Sequence, residues 1–266
     1  MIQLCNFLIA GFLLLLGGTV HASQDSIVNV AMRLEYEYPD SAIFIAEARI
    51  ASGQLDRKTT GAAYEIIGIA QWVREDYGKA IRAHQKSLEI RSSIEHHSGV
   101  AHSHNNLGLN YQAIGGAKLA MEHFLSAQEM AEHQQDSLLL AKVLGNIGTL
   151  YEEQGSIDKA LDFYGRSLGL LESGKDQRIL GNTLNNIALA YKQLEEATKA
   201  KNFAERSLAV RKFIDDKWGI AQSLNFLGLL ASDKAEYSKA NGFFRSSLAV
   251  YVELDNQWGQ SMVYGN

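Results

Sequence analysis

Proline occurs once in the 266 residues, at Pro39, where ordinary usage of about 5% would place about thirteen. Alternating Val/Thr/Ile stretches are also missing, which with the proline deficit argues against a β-sandwich and for helices. The only cysteine is Cys5, so a disulfide scaffold, a Cys-based zinc site and a catalytic thiol in the body of the chain are excluded. No basic excess is present: the net charge is −5, which gives no global electrostatic reason to bind nucleic acid. With 46% apolar residues, the chain is rich enough to bury a sizeable core.

Residues 1–24 contain no Lys, Arg, Asp or Glu. An apolar run from Phe7 to Leu16 leads to Gly17-Gly18 and Val20-His21-Ala22, followed by polar Ser23-Gln24-Asp25. This pattern predicts a signal peptide over 1–22, cleaved after Ala22, with an uncleaved anchor as the competing reading. In either case the rest of the chain is expected to be exported, to the periplasm or another extracytoplasmic space, and cleavage would remove Cys5.

A period of forty residues organises the remainder. Written from Gly61 in rows of forty, the chain aligns without a gap. One column reads Ala80, Ala120, Ala160, Ala200, Ala240; another reads Gly68, Gly108, Gly148, Ala188, Gly228; a third reads Ser87, Ala127, Ser167, Ser207, Ser247. Each row holds two stretches with apolar side chains at helical spacing, separated by a break such as Gly115-Gly116 or Gly155-Ser156. Asp136, Asp176, Asp216 and Asn256 form a column suited to accept hydrogen bonds from the first free N–H groups of the next helix. The small columns permit close helix approach, with Gly148 expected against the region of Ala160, and Ser167 against the first helix of the following row. A single helix pair cannot bury both apolar faces, so the rows must stack.

Several residues resemble the tetratricopeptide repeat family: Leu144, Ile147-Gly148, Tyr151, Ala160, Tyr164 and Ser167 in one row, and Leu107-Gly108, Tyr111, Ala120, Phe124 and Ala127 in the row before. The forty-residue stride is similar to the longer-helix members, kinesin light chains and bacterial peptide-sensing regulators. Ala204 stands where an aromatic is usual, Ala231 stands where a Tyr is usual, and the closing proline of each repeat is absent. The resemblance implies an all-α, right-handed superhelical solenoid of antiparallel helix pairs. Its expected organisation is a divergent N-terminal capping repeat over 23–60, entered through Pro39, then five repeats over 61–260. Residues 261–266 then read as the start of a truncated sixth repeat, the chain being a piece that stops inside a helix.

Three motif-like strings fit the repeat better than they fit chemistry. Gly165-Arg166-Ser167-Leu168-Gly169 spells a nucleophile elbow, but that motif needs a strand-to-helix turn, whereas Ser167 falls mid-helix. The stretch from Gly169 to Asp176 nearly matches a phosphate-binding loop but ends in an acid where a hydroxyl is needed. Seven of the eight histidines lie between His84 and His133, without the spacing of a metal-binding helix, so one packed and several solvated histidines are expected. No catalytic residue, metal ligand or cofactor is expected, and a His-rich metal-dependent enzyme is only a remote alternative.

Asparagine recurs mid-helix, where it is a modest helix former: Asn105, Asn185 and Asn225 share one column, and Asn106, Asn146, Asn186 and Asn266 share the next. The second column suits hydrogen bonds between repeats. The first coincides with the family's concave, groove-lining position, where an amide can donate to and accept from an extended peptide backbone. By the same carry-over, His102, Lys142, Asn182 and Gln222 line the groove one turn earlier, and Gln112, Glu152 and Lys192 about two turns later. The expected function is non-catalytic protein or peptide binding, with no nucleic-acid partner. The resemblance places it as the extracytoplasmic sensor part of a membrane signalling protein, or alternatively as a free periplasmic scaffold or assembly factor. Membrane contact is expected only through an uncleaved N-terminal segment or a part missing from the C-terminus.

Overall fold

The computed structural model describes residues 31, 32, 34, 38–171 and 176–266, so the stretch 1–22 expected to be a signal peptide, with Cys5, lies outside the described residues. Among those described there are twelve α-helices and no strand. They are α1 (Pro39–Ala51), α2 (Arg57–Val73), α3 (Tyr77–Ser93), α4 (His97–Ala113), α5 (Ala117–His133), α6 (Ser137–Glu153), α7 (Ile157–Leu171), α8 (Gln177–Gln193), α9 (Ala197–Phe213), α10 (Lys217–Asp233), α11 (Tyr237–Glu253) and α12 (Gln257–Tyr264). The helices fall into two compact units, divided between Gln135 and Asp136. Within the first unit α1 packs on α2, and α2 to α5 pack in succession; within the second, α6 to α12 do the same. Both units are therefore all-α stacks of consecutive helix pairs.

The stride follows from the element lengths. Helices α2 to α6 and α8 to α11 each have 17 residues. Three-residue turns join them, so two helices and two turns make up the forty. Rows counted from Gly61 begin four residues inside α2. Pro39 occupies the first turn of α1, where its missing N–H costs nothing.

Helix starts use the acidic column as expected: Asp136 Oδ1 accepts from Leu139 N at 3.0 Å, Asp216 from Gly219 N at 3.1 Å, and Asn256 from Gly259 N at 2.7 Å. Asp176 caps through Arg178 N and Ile179 N, and Asp56, forty residues before His96, caps α2 through Thr59 N. His96 falls in this column but makes no side-chain cap. Helix ends close by a different device. The middle residue of each described three-residue turn is left-handed, so Gly116 N reaches back to Tyr111 O at 2.8 Å and Gly115 N to Gln112 O at 2.9 Å. Glycine supplies that conformation only at Gly115 (φ 76°) and Gly155 (φ 73°); elsewhere Glu75, Glu95, Gln135, Glu195, Asp215, Ala235 and Asp255 adopt it.

The core is built from matched large and small residues. His84, Phe124, Tyr164 and Phe244 each lie across from the glycine column. A Cβ on Gly148 would come 2.5 Å from a Tyr164 ring carbon and 3.2 Å from Ala160 O, so these helices meet closely where Gly148 and Ala160 face each other. In the one pair without a ring, Ala204 replaces the aromatic and Ala188 replaces the glycine; both are fully buried, with Ala200, in one cluster. The serine column does more than fill space. Ser167 Oγ donates to Ala141 O at 2.8 Å in its own pair and lies 3.4 Å from Thr183 Oγ1 in the next pair. Ser87, Ser207 and Ser247 donate likewise to Gly61 O, Gly181 O and Ala221 O, each at 2.8 Å.

Two tests follow from this packing. Ala204→Phe should destabilise the protein by roughly 1–3 kcal/mol because the Ala188 methyl occupies the ring's place. Adding Ala188→Gly should recover most of that loss, and a double-mutant cycle in urea showing no coupling would refute the pairing. Separately, Ala235→Gly should stabilise and Gly155→Ala destabilise, each by about 1 kcal/mol, since both positions share the left-handed conformation, which a Cβ disfavours. Equal and unchanged melting midpoints would contradict the left-handed assignment.

Candidate functional site

Successive first helices touch within each unit: α2 meets α4 in the first, and α6 meets α8 and α8 meets α10 in the second. Their polar columns meet along this seam at a spacing of 41 residues. Asn106 Nδ2 donates to Glu65 Oε1 at 3.2 Å in the first unit. In the second, Gln193 Nε2 donates to Glu152 Oε1 at 2.5 Å and Asn266 Nδ2 to Asn225 Oδ1 at 3.0 Å, while Lys192 Nζ pairs with Asp233 Oδ2 at 3.2 Å. Asn106 and Asn266 thus act between repeats, the use expected of their column.

The ten groove-lining candidates are divided between the units. His102, Asn105 and Gln112 lie on α4, with Asn105 only 7% exposed and the other two half-buried. In the second unit Lys142 and Glu152 lie on α6; Asn182, Asn185 and Lys192 on α8; Gln222 and Asn225 on α10. Lys142 and Asn182 are exposed, whereas Asn185, Gln222, Glu152 and Lys192 are half-buried. Asn225 is 5% exposed and engaged by Asn266. Asn182 Oδ1 accepts from Arg211 Nη2 at 2.9 Å. Burial pushes the Glu152 carboxyl up in pKa, against the donations it accepts from Tyr164 Oη at 2.7 Å and from Gln193. Glu152, Lys192 and Asn225 are engaged across the seam by Gln193, Asp233 and Asn266. That leaves Lys142, Asn182, Asn185 and Gln222 as the exposed or half-buried candidates of this wall outside those bonds, a cation and amides with no clustered charge of one sign.

Two buried arginines escaped the sequence reading. Arg211, 2% exposed, donates from Nη1 to Gly219 O at 2.8 Å and Ser223 Oγ at 3.0 Å, tying α9 to α10. Arg91 repeats the arrangement with Gly99 O at 3.0 Å and Ser103 Oγ at 3.1 Å, and pairs with Glu65 at 2.5 Å where Arg211 meets Asn182. The signal was present in the sequence: Arg91, Gly99 and Ser103 recur as Arg211, Gly219 and Ser223, three periods on.

The motif-like strings resolve as packing. Ser167 is fully buried within α7, and Gly169 lies in the same helix; residues 172–175 of the phosphate-loop-like string lie outside the described residues. Among the described residues no three His, Cys, Asp or Glu side chains are placed to share a metal ion. The histidines are more engaged than expected. His84, 1% exposed, fills the aromatic position across Gly68, and its Nδ1 has no hydrogen-bond partner. His104 and His123 face each other with Nδ1 atoms 2.9 Å apart, and Tyr111 stacks on His123 at 5.4 Å. His97 and His133 are exposed.

Models of the tetratricopeptide repeat match residues 59–133, 141–170 and 179–251. No curated protein matches the sequence. Among solved structures, the fold is similar to the apo form of RapI (17% identity, 91% of this chain and 94% of that one, TM-score 0.70). It is also similar to NprR in complex with its cognate peptide NprX (14% identity, 99% and 79%, TM-score 0.69) and to BtubC from P. vanneervenii (16% identity, 88% and 90%, TM-score 0.63).

His84 carries the main pH consequence. Burial holds its pKa down to about 4, against an ordinary value near 6.5, with Glu65 opposing and Arg91 adding to the shift. Below about pH 6.5 the unfolded chain takes up a proton that the folded chain refuses. The stability present at pH 7 is therefore lost as pH falls, by up to about 1.4 kcal/mol per pH unit until pH 4 is reached. His84→Phe places in this slot the ring that Phe124 and Phe244 supply elsewhere. It should flatten the decline in urea midpoint between pH 6.5 and pH 4.5; an unchanged slope would remove His84 as its source.

Proposed function

Because the chain belongs to the tetratricopeptide repeat family, whose models match more than half of it, we propose that it is a non-catalytic scaffold that binds an extended peptide or protein segment along its first-helix seam. The observation that carries this reading is the seam in the second unit, where exposed Lys142 and Asn182 adjoin half-buried Asn185 and Gln222 on three first helices in contact. Amide side chains there can donate to and accept from a peptide backbone, while the mixed polarity suits no phosphate. The likeness to NprR, a structure with a bound peptide, supports the same class of ligand.

Export and a sensory role form part of the proposal. Support for export comes from the uncharged, apolar stretch before Ser23 with small Val20 and Ala22 at its end. The sensor reading extends the peptide-binding one: an extracytoplasmic scaffold that reports a captured peptide to a membrane signalling protein. Among the described residues no helix is long and apolar enough to cross a membrane.

Panning a random peptide library against the immobilised chain should enrich peptides that bind in solution calorimetry. Lys142→Ala/Asn185→Ala/Gln222→Ala should weaken the best of them at least tenfold, which is about 1.4 kcal/mol. Asp162→Ala/Glu205→Ala, on second helices, should leave it unchanged. Equal loss in both variants, or in neither, would overturn the seam as the site. N-terminal sequencing of protein exported from a bacterial host should begin at Ser23.

A further inference from the structure

Three rows carry a Tyr near the end of the first helix, at Tyr111, Tyr151 and Tyr191, and each stacks on a ring from the second helix of its own pair. Tyr191 lies 5.6 Å from Phe203, ring to ring, and Lys199 Nζ sits 5.0 Å above the Tyr191 ring while pairing with Glu196 at 2.8 Å. Tyr151 is held the same way by Phe163 and Lys159. One repeat later the surroundings persist and the ring is gone. Ala231 replaces Tyr191, Phe243 replaces Phe203, and Lys239 replaces Lys199, again paired with its glutamate, Glu236, at 2.8 Å. A cavity of about 170 Å³ opens there, lined by Leu227, Leu230, Ala231, Lys239 and Phe243 of this pair and by Lys201 and Glu205 of α9. In the first unit the other row without the Tyr, at Gln71, also has a cavity, of about 380 Å³; Tyr64 lines it, but Ala83 stands where Phe243 supplies the stacking ring.

We propose that the cavity beside Ala231 is a binding slot for an aromatic side chain presented by a partner polypeptide. The neighbouring repeats supply the template: the same stacking floor and the same lysine already hold a tyrosine ring in this chain. The charge pattern fits that occupant, because an ammonium such as that of Lys239 attracts the negative face of an aromatic ring, and an aliphatic side chain offers no such face. The volume suits one side chain rather than a cofactor. The slot lies apart from the seam residues Lys142, Asn185 and Gln222; that its ring comes from a polypeptide rests on the protein-binding reading.

The test titrates the full chain with N-acetyl-Gly-Tyr-Gly-amide and follows backbone amide resonances. Saturable shifts at Leu227, Ala231 and Phe243 are expected, at least tenfold weaker with N-acetyl-Gly-Leu-Gly-amide. Ala231→Tyr, which refills the slot from within, should abolish them. Tyr191→Ala should create a second set of shifts at Ile187 and Phe203, and keeps the test decisive where Ala231→Tyr does not fold. No saturable shift, equal binding of the leucine peptide, undiminished binding by folded Ala231→Tyr, or no gain in Tyr191→Ala would overturn the proposal. Binding of p-cresol with refusal of the tyrosine peptide would overturn the polypeptide as its source. The Lys142→Ala/Asn185→Ala/Gln222→Ala variant should bind the tyrosine peptide as wild type does, so failure of the seam and failure of the slot are distinguishable.

Discussion

Close approach between two helices, repeated at a constant stride, is the constraint on which the rest of the structure depends. A ring projecting from the second helix of a pair reaches the backbone of the first only where no Cβ stands in its way. The stride keeps that opposition in phase, because 17-residue helices and three-residue turns return each column to the same position every forty residues. Where one member of the opposition changes, its partner changes too, as Ala188 with Ala204 shows. The same logic governs the Arg91–Gly99 and Arg211–Gly219 contacts, where a Cβ on either glycine would run into the arginine side chain. A buried guanidinium is tolerable there because a carbonyl, a serine hydroxyl and an acceptor from the preceding first helix receive its Nη groups, although Nε of each arginine is buried with no hydrogen-bond partner.

Much of this was legible in the sequence because it is periodic. Gly148 opposite Ala160, the cap residues Asp136, Asp216 and Asn256, and the break at Gly155 all repeat at one phase. What the period could not reveal was which member of a column departs from its neighbours' role. His84 occupies an aromatic position, yet chemistry alone reads it as a titratable surface group. The left-handed turn residues were visible only at Gly115 and Gly155, because Glu75 and Asp215 adopt the conformation against their intrinsic preference, held by the bonds that close the preceding helix. Ser167 is legible as a small residue, but not as a hydroxyl that donates to Ala141 O on one helix and meets Thr183 Oγ1 on another.

The candidate seam was less legible, for a physical reason. Column membership assigns a residue to a face of a helix but not the depth at which it lies or the neighbour that engages it. Asn185 and Asn225 share a column, yet Asn225 is spent on Asn266 while Asn185 keeps more of its surface. Lys142 and Asn182 likewise share a column, and only Asn182 faces an arginine from the second helix of its own pair. Recognition along such a seam therefore depends on which amides the stack leaves unspent, and that choice is set by residues 41 positions away as well as by the column itself.

Repetition also gives the structure an internal reference that a single-copy fold lacks. In an ordinary domain, a cavity lined by a phenylalanine and a lysine is ambiguous, because nothing shows what the lining is shaped to hold. Here the preceding repeats show that lining occupied, with the ring from Tyr151 or Tyr191. Ala231 is then an omission from a conserved internal arrangement rather than a packing fault in isolation, since Phe243 and the Lys239–Glu236 pair keep the form they have around Tyr191. Loss of the tyrosine alone forfeits a half-buried ring's contacts, an aromatic stack worth about 0.5–1.5 kcal/mol beyond its area. Retention of the floor and the lysine leaves that stabilisation open to a ring from elsewhere, which is how a packing device becomes a recognition device without any change to the fold.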